Sequence, residues 1–329
     1  MKVSSFNSVK IIAIIFLVIS FFDAKAQQNA QFSQYIFNGL YINPAAAGAK
    51  EDFYLHSFYR SQWTGVTGAP QSLSIAADGT VNDEKVGLGL LLANDKLGAQ
   101  SSLAAYANYA YRLQMGDRGT NHLALGLGVG FVQSAINGSM LNAGQSGDNV
   151  VPVGTQSTLL PDARAGVLYT SDSFFAGFSA DNLVAKYLNR DKSLNVPVPQ
   201  PHFYLTAGTL FYLNDEAKIK PSFLLKNASG SATSLDLNTF LILGDKFWIG
   251  GTYRSNLKLL SNSYNNSFQT ANAVVAQVEF FATSKLRIGY AFDYSMSAFS
   301  GFGNGSHELS LGIYLSKKAT QNFATSSYF

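Results

Sequence analysis

Between residues 121 and 131 the apolar side chains Leu123, Leu125, Leu127, Val129 and Phe131 alternate with Ala124, Gly126, Gly128 and Gly130. A period of two places successive side chains on opposite faces of a strand, so only a sheet puts these Leu residues on one side. Leu286, Ile288, Tyr290 and Phe292 alternate with Arg287, Gly289, Ala291 and Asp293 in the same way, as do Leu309, Leu311, Ile313 and Leu315 with Glu308, Ser310, Gly312 and Tyr314. The pattern predicts fourteen strands, at about 53–60, 71–79, 86–93, 99–112, 121–133, 160–170, 174–182, 201–213, 218–227, 234–243, 246–254, 271–281, 284–293 and 306–316. One face is greasy and the other small, polar or charged. In a lipid-embedded barrel the charges belong inside, because Arg at mid-depth on the lipid face costs about 2–4 kcal/mol.

The connections sort into two sets. After strands two, four, six, eight, ten and twelve come compact turns such as VNDEK, SDS, NDE, GD and TS. After the odd strands come longer or more ornate segments, including 61–70, 134–159, 183–200, 255–270 and 294–305. Short turns on one rim and long loops on the other mark an outer-membrane barrel, with both termini expected in the periplasm. The predicted fold class is therefore all-β, a transmembrane antiparallel barrel of about fourteen strands.

The start of the chain supports export. Lys2 and Lys10 precede the apolar run Ile11 to Phe22, which ends in Ala24-Lys25-Ala26. This is the pattern of a secretory signal peptide, so residues 1–26 are expected to be removed. Residues 27–50 form a periplasmic or luminal segment, and 51–329 a single barrel domain with a polar tail. The last strand either ends near 316 or reaches the terminal Phe329. Past the leader no run of eighteen apolar residues occurs, so any span is by strands.

Composition narrows the function. Charged residues are 13 % of the chain, against about 25 % in ordinary globular domains. Without the leader the balance falls to 20 basic and 19 acidic residues, which gives no basic face for nucleic acid. Cys is absent, which excludes disulfides and thiolate metal sites. The four histidines, His56, His122, His202 and His307, lack metal-ligand spacing and read as rim or lumen side chains. No nucleophile elbow occurs, and GLGLG and GLGVG lie within strands, where small residues leave space or let segments pack closely. No enzyme activity and no cofactor are expected. Tyr35, Tyr41, Trp63, Tyr106, Tyr109, Tyr111, Trp248, Tyr253 and Tyr290 read as membrane-interface girdles, with only the loop-borne Trp63 standing apart.

Two irregular stretches carry more information than the strands. In 31–50, QFSQYIFNGLYINPAAAGAK, Phe32, Tyr35, Ile36 and Leu40 fall on one helical face before an Asn43-Pro44 turn, so the segment is expected to close the periplasmic mouth or enter the lumen. In 59–79, YRSQWTGVTGAPQSLSIAADG, Gly65, Gly68 and Pro70 shape a compact loop around Trp63. There Trp63, with Arg60 and Gln62, either anchors a partner or packs inward to brace the first hairpin. Both stretches resemble the opening of the PorP/SprF family of type IX secretion membrane proteins. Further matches follow at NDKLG (94–98), PDARAG (161–166), SADNL (179–183), PHF (201–203), KPSFLLK (220–226), DKFWIGGTYR (245–254), GYAFDY (289–294) and SHELSLG (306–312). The resemblance implies an outer-membrane accessory of type IX export, with secretion components and a surface adhesin as partners, and gliding motility or envelope tethering in some members. The candidate motif or partner-binding residues are Tyr35, Asn43, Pro44, Arg60, Gln62, Trp63, Gly68 and Pro70, with loops 134–159, 183–200 and 255–270 as the wider surface. The competing reading is an outer-membrane channel or hydrophobic-solute transporter, which needs an open lumen.

Overall fold

A computed structural model of the chain describes residues 31–315, except for 51, 83, 117–119, 142–151, 153, 189–195, 229–232, 258–272 and 297–302. The expected leader, residues 27–30 and the tail beyond Leu315 lie outside the described residues.

Fourteen strands form the wall: β1 (Tyr54–Ser61), β2 (Gln71–Val81), β3 (Val86–Leu97), β4 (Gln100–Met115), β5 (Asn121–Asn137), β6 (Thr155–Thr170), β7 (Phe174–Asp181), β8 (His202–Thr209, resumed at Phe211–Tyr212), β9 (Ala217–Ala228), β10 (Thr233–Leu243), β11 (Phe247–Leu257), β12 (Ala273–Thr283), β13 (Leu286–Ser295) and β14 (Ser306–Tyr314). Each pairs antiparallel with the next. The ring closes between β1 and β14, from Tyr54 opposite Tyr314 to Ser61 opposite His307. Closure leaves no sheet edge, the condition under which strands can stand in lipid. The break in β8 has a local cause: Leu210 turns inward, 3 % exposed, and its N–H bonds the Ser173 carbonyl of the neighbouring turn.

The two-rim arrangement is borne out with one correction. The connections after the even strands are short, as expected, and at 244–246 Gly244 and Asp245 both take left-handed φ values, +54° and +56°. Such paired positive φ angles match the right-handed twist of a tight hairpin. On the opposite rim, however, only two residues separate Leu97 from Gln100 and only four separate Ala228 from Thr233. Residues 94–97, read from sequence as part of a loop, continue β3, and Gly98 at φ +55° reverses the chain at once.

Faces alternate as the pattern predicts. Leu127 and Val129 are 63 % and 65 % exposed on the outer surface, while Arg287 and Glu308 are fully buried within. The described residues include no helix long and apolar enough to cross a membrane. A barrel of this strand number encloses more space than its own inward side chains fill. That space is occupied by residues 31–50.

Candidate functional site

Inside the wall the chain makes three short turns: a 3-10 turn at Tyr35–Phe37, a helical turn at Gly39–Ile42 and a second 3-10 turn at Pro44–Ala46. Phe32, Tyr35, Phe37, Leu40, Ile42, Ala45 and Ala47 are all buried. The amphipathic helix expected from the sequence is therefore replaced by a compact plug. The segment is walled on every side, and its backbone groups around residues 33–34, 40–42 and 48 find partners on the wall.

The first partners are charged. Both oxygens of the Glu308 carboxylate accept backbone N–H groups of the plug, from Ser33 at 2.7 Å and Gln34 at 2.9 Å. The Ser33 hydroxyl donates to Asp293 and accepts from Arg60 at 2.9 Å. Arg60 pairs with Asp293 at 2.7 Å and Glu308 at 3.3 Å; Arg254 joins Asp293 to Asp236, and Lys226 pairs with Asp236 at 3.0 Å. Three cations, Arg60, Arg254 and Lys226, thus face three carboxylates, Asp236, Asp293 and Glu308. A balanced buried network of this kind contributes little net stability but penalises loss of any one member by about 3–5 kcal/mol. Nearby, Arg287 bonds Glu279, the Tyr54 hydroxyl and Ser310, and Ser310 in turn donates to the Gln34 side chain.

Further along, Arg164 pairs with Asp181 and donates to the carbonyls of Leu40 at 3.0 Å and Tyr41 at 2.8 Å. Those carbonyls lie at the end of a helical turn, where a cation satisfies groups that no further turn can. Ser179 donates to Ile42 O, the Asn43 amide donates to Val167 O, and Asp78 accepts the Gly48 N–H at 2.8 Å. The inward glycines complete the fit. A Cβ at Gly126 would overlap the backbone of Ala45, and one at Gly87 the Ala47 carbonyl. Gly87 and Gly126 thereby admit the plug backbone to contact distance, while Gly128 and Gly130 leave room for the Arg164 and Tyr106 side chains of neighbouring strands.

At the short-turn rim the plug closes on aromatic packing. Phe37 meets Trp248 edge-on at 5.1 Å and Phe240 at 5.7 Å, with Tyr54, Phe281 and Tyr314 in the same cluster. Burial raises the Tyr35 phenol above its ordinary range, and lowers Lys50 to about 8 with the help of the Arg287 charge. Between plug and wall remains a cavity of about 80 Å³. Among the described residues no group of three His, Asp or Glu side chains could share a metal ion.

The expected site residues separate into two places. Tyr35, Asn43 and Pro44 are plug residues: the Tyr35 hydroxyl lies 3.3 Å from the Ser222 hydroxyl, and the Asn43 side chain caps the turn begun by Pro44. Arg60 also belongs to the lumen, 3 % exposed, so it does not share a surface with Trp63. Period two explains the split, since Arg60 and Tyr59 must point to opposite faces. Gln62, Trp63, Gly68 and Pro70 form the rim loop. There Thr64 N bonds Gly305 O, Asn304 N bonds Thr64 O and Gly98 N bonds Gly68 O, which ties the loop to both its neighbours. Trp63 is half-buried, with a left-handed φ of +48°. The girdle reading needs correction as well: Tyr109, Tyr111, Tyr253 and Tyr290 face outward, but Tyr35, Tyr41, Tyr106 and Trp248 lie in the interior. Trp248 falls between the outward Phe247 and Ile249, so strict alternation could have placed it.

Sequence reasoning did not foresee the contacts that Asp162, Tyr106 and Tyr187 make. Asp162 accepts the Tyr106 hydroxyl at 2.6 Å and the N–H groups of Val184 and Ala185 at 2.9 Å, holding the turn Ala185–Leu188 at the rim. On that turn Tyr187 is 73 % exposed, and Met140 and Val66 are exposed on the same rim. About half of the loop surfaces 134–159, 183–200 and 255–270 expected to bind a partner, and nearly all of the last, falls outside the described residues.

Comparison with solved structures finds similar outer-membrane barrels at low identity. Omp33 from Acinetobacter baumannii is 7 % identical over 80 % of this chain and 98 % of that one, with a TM-score of 0.45. A TodX deltaS2S3 mutant monoaromatic hydrocarbon channel is 9 % identical over 83 % of this chain and 92 % of that one (TM-score 0.47), and a Pseudomonas aeruginosa FadL homologue 10 % identical over 83 % and 93 % (TM-score 0.45). No curated protein matches the chain. The family described as type IX secretion system membrane protein PorP/SprF matches residues 24–313, nearly all of the described barrel and its plug. The chain belongs to the PorP/SprF family of type IX secretion system membrane proteins.

Proposed function

We propose that this barrel is a non-enzymatic outer-membrane accessory of the type IX secretion system, with its termini in the periplasm, that supports secretion and surface attachment of a cognate adhesin. The observation that carries this reading is the filled lumen. Residues 31–50 meet the wall through buried ion pairs, backbone hydrogen bonds and close glycine contacts, which disfavours a through-pore and leaves the long-loop rim as the working surface. A rigid scaffold presenting loops is where recognition is usually placed. The half-buried Trp63 and exposed Tyr187, Met140 and Val66 supply the aromatic and apolar side chains that anchor protein partners.

The test is deletion of the gene followed by quantitation of the neighbouring secreted adhesin on the cell surface, with gliding scored in parallel. The proposal expects the adhesin to be lost from the surface and restored by the wild-type gene. Unchanged display with normal assembly of the secretion machinery would overturn it.

A further inference from the structure

The cavity beside the plug has a chemistry that neither the buried ion-pair network nor the rim surface uses. It lies toward the short-turn rim, because Asp78, Leu168, Phe175 and Lys220 each stand within a few residues of the strand ends there. Its walls are mostly apolar, from Leu168 and Phe175 on the barrel side and Leu40 and Ile42 on the plug. Against that apolar lining stand two lysine side chains, Lys50 and Lys220, and the carboxyl group of Asp78. Asp78 is already engaged by the Gly48 N–H at 2.8 Å. Lys50 lies over the Tyr54 ring at 5.4 Å, and Lys220 over the Phe175 and Trp248 rings at 5.4 Å.

His56 is the second observation. It is 3 % exposed and lines the cavity, yet neither ring nitrogen makes a hydrogen bond. The Asp78 carboxyl stands 3.9 Å from its Nε2, beyond hydrogen-bond reach. The ring is held by stacking on Tyr54 at 4.9 Å and by the edge of Phe58, so it cannot swing to another partner without disrupting both. A buried imidazole with two unused polar atoms facing a cavity is an expensive feature unless something there bonds to it.

We propose that this cavity is a binding site for a small amphiphilic carboxylate. The carboxylate lies between Lys50 and Lys220, accepts a hydrogen bond from the His56 ring N–H, and projects its apolar chain against Leu168 and Phe175. The volume sets the size. Since about 10–15 Å³ of such space holds one water, 80 Å³ accommodates on the order of five to seven non-hydrogen atoms, a four- or five-carbon acid. A doubly charged anion fits less well, because Asp78 opposes a second negative charge and the opposite wall is hydrocarbon.

The experiment is calorimetric titration of the full chain in detergent micelles with valerate and, separately, with its neutral amide, pentanamide. Valerate is expected to bind saturably at one site and pentanamide at least tenfold more weakly. Lys50→Met should weaken valerate binding at least tenfold, and Leu168→Phe, which fills the cavity without altering charge, should abolish it. Absence of saturable valerate binding overturns the proposal, as does equal affinity for the amide or an unchanged isotherm in both variants. The comparison of acid with amide needs only the wild-type chain, so it decides the matter even where a variant does not fold.

Discussion

Glu308 offers the sharpest perturbation of the plug. Its carboxylate receives two backbone N–H groups, from Ser33 and Gln34, and the Arg60 guanidinium, all in a fully buried setting. Glu308→Gln keeps the shape but removes the charge. The amide then presents donors where the site already supplies three, and three cations face two carboxylates. Breaking one member of a buried pair costs about 3–5 kcal/mol. Because the lost bonds connect plug to wall, the cost falls on docking, and at 1.4 kcal/mol per decade the undocked population rises about a hundredfold to a few thousandfold. The chain contains no Cys, so a single reporter introduced as Leu40→Cys, at a site 2 % exposed, labels specifically with a soluble maleimide. When re-docking outpaces labelling, the rate follows the undocked population. Glu308→Gln should therefore accelerate labelling at least a hundredfold, whereas Glu216→Gln on the exposed short-turn rim should not change it. A Glu308→Gln rate within threefold of the parent would refute the argument that this carboxylate holds the plug.

Other consequences follow from the same contacts. Gly126→Val places side-chain atoms where the Ala45 backbone runs, and should expel the plug or lower the melting midpoint by several degrees, read by heat-modifiable gel mobility; a wild-type midpoint would contradict the close approach. Arg164→Met leaves two plug carbonyls and Asp181 without their guanidinium, and should raise Leu40→Cys labelling as strongly as Glu308→Gln does. Lys50 falls from 10.5 to about 8 on docking, so the undocked plug holds the extra proton between those pH values and docking strengthens as pH rises through them. Lys50→Met should accordingly be more stable than wild type at pH 7, with the gap closing by about pH 10.5, when wild-type Lys50 is neutral in both states. Tyr187→Ala, on an exposed turn, should reduce adhesin display while leaving the barrel's melting midpoint unchanged.

The wall was readable because lipid outside and a filled interior impose one rule on every strand. Leu125, Leu127 and Val129 on one face and Gly126, Gly128 and Gly130 on the other suffice to orient β5, and Arg287 and Asp293 announce the inner face of β13. Strand ends were less readable, since β4, β5 and β6 extend several residues beyond the expected limits into polar stretches such as Thr155–Thr158, where no apolar alternation in the sequence marks the boundary. The plug was only half readable. Its apolar residues predicted a packed segment, but helical periodicity is meaningful only for an element with a wet side, and this one has none. Arg60 shows the same limit in one residue: beside Trp63 in sequence it belongs to a loop motif, yet one strand position decides that it serves the lumen.

Ion conductance in planar bilayers addresses most directly the claim that residues 31–50 close the barrel. The full chain should insert without measurable conductance steps, and a chain lacking residues 31–47 should give stable steps as the lumen opens. Steps of equal size from both proteins would contradict a lumen sealed by its own N-terminal segment.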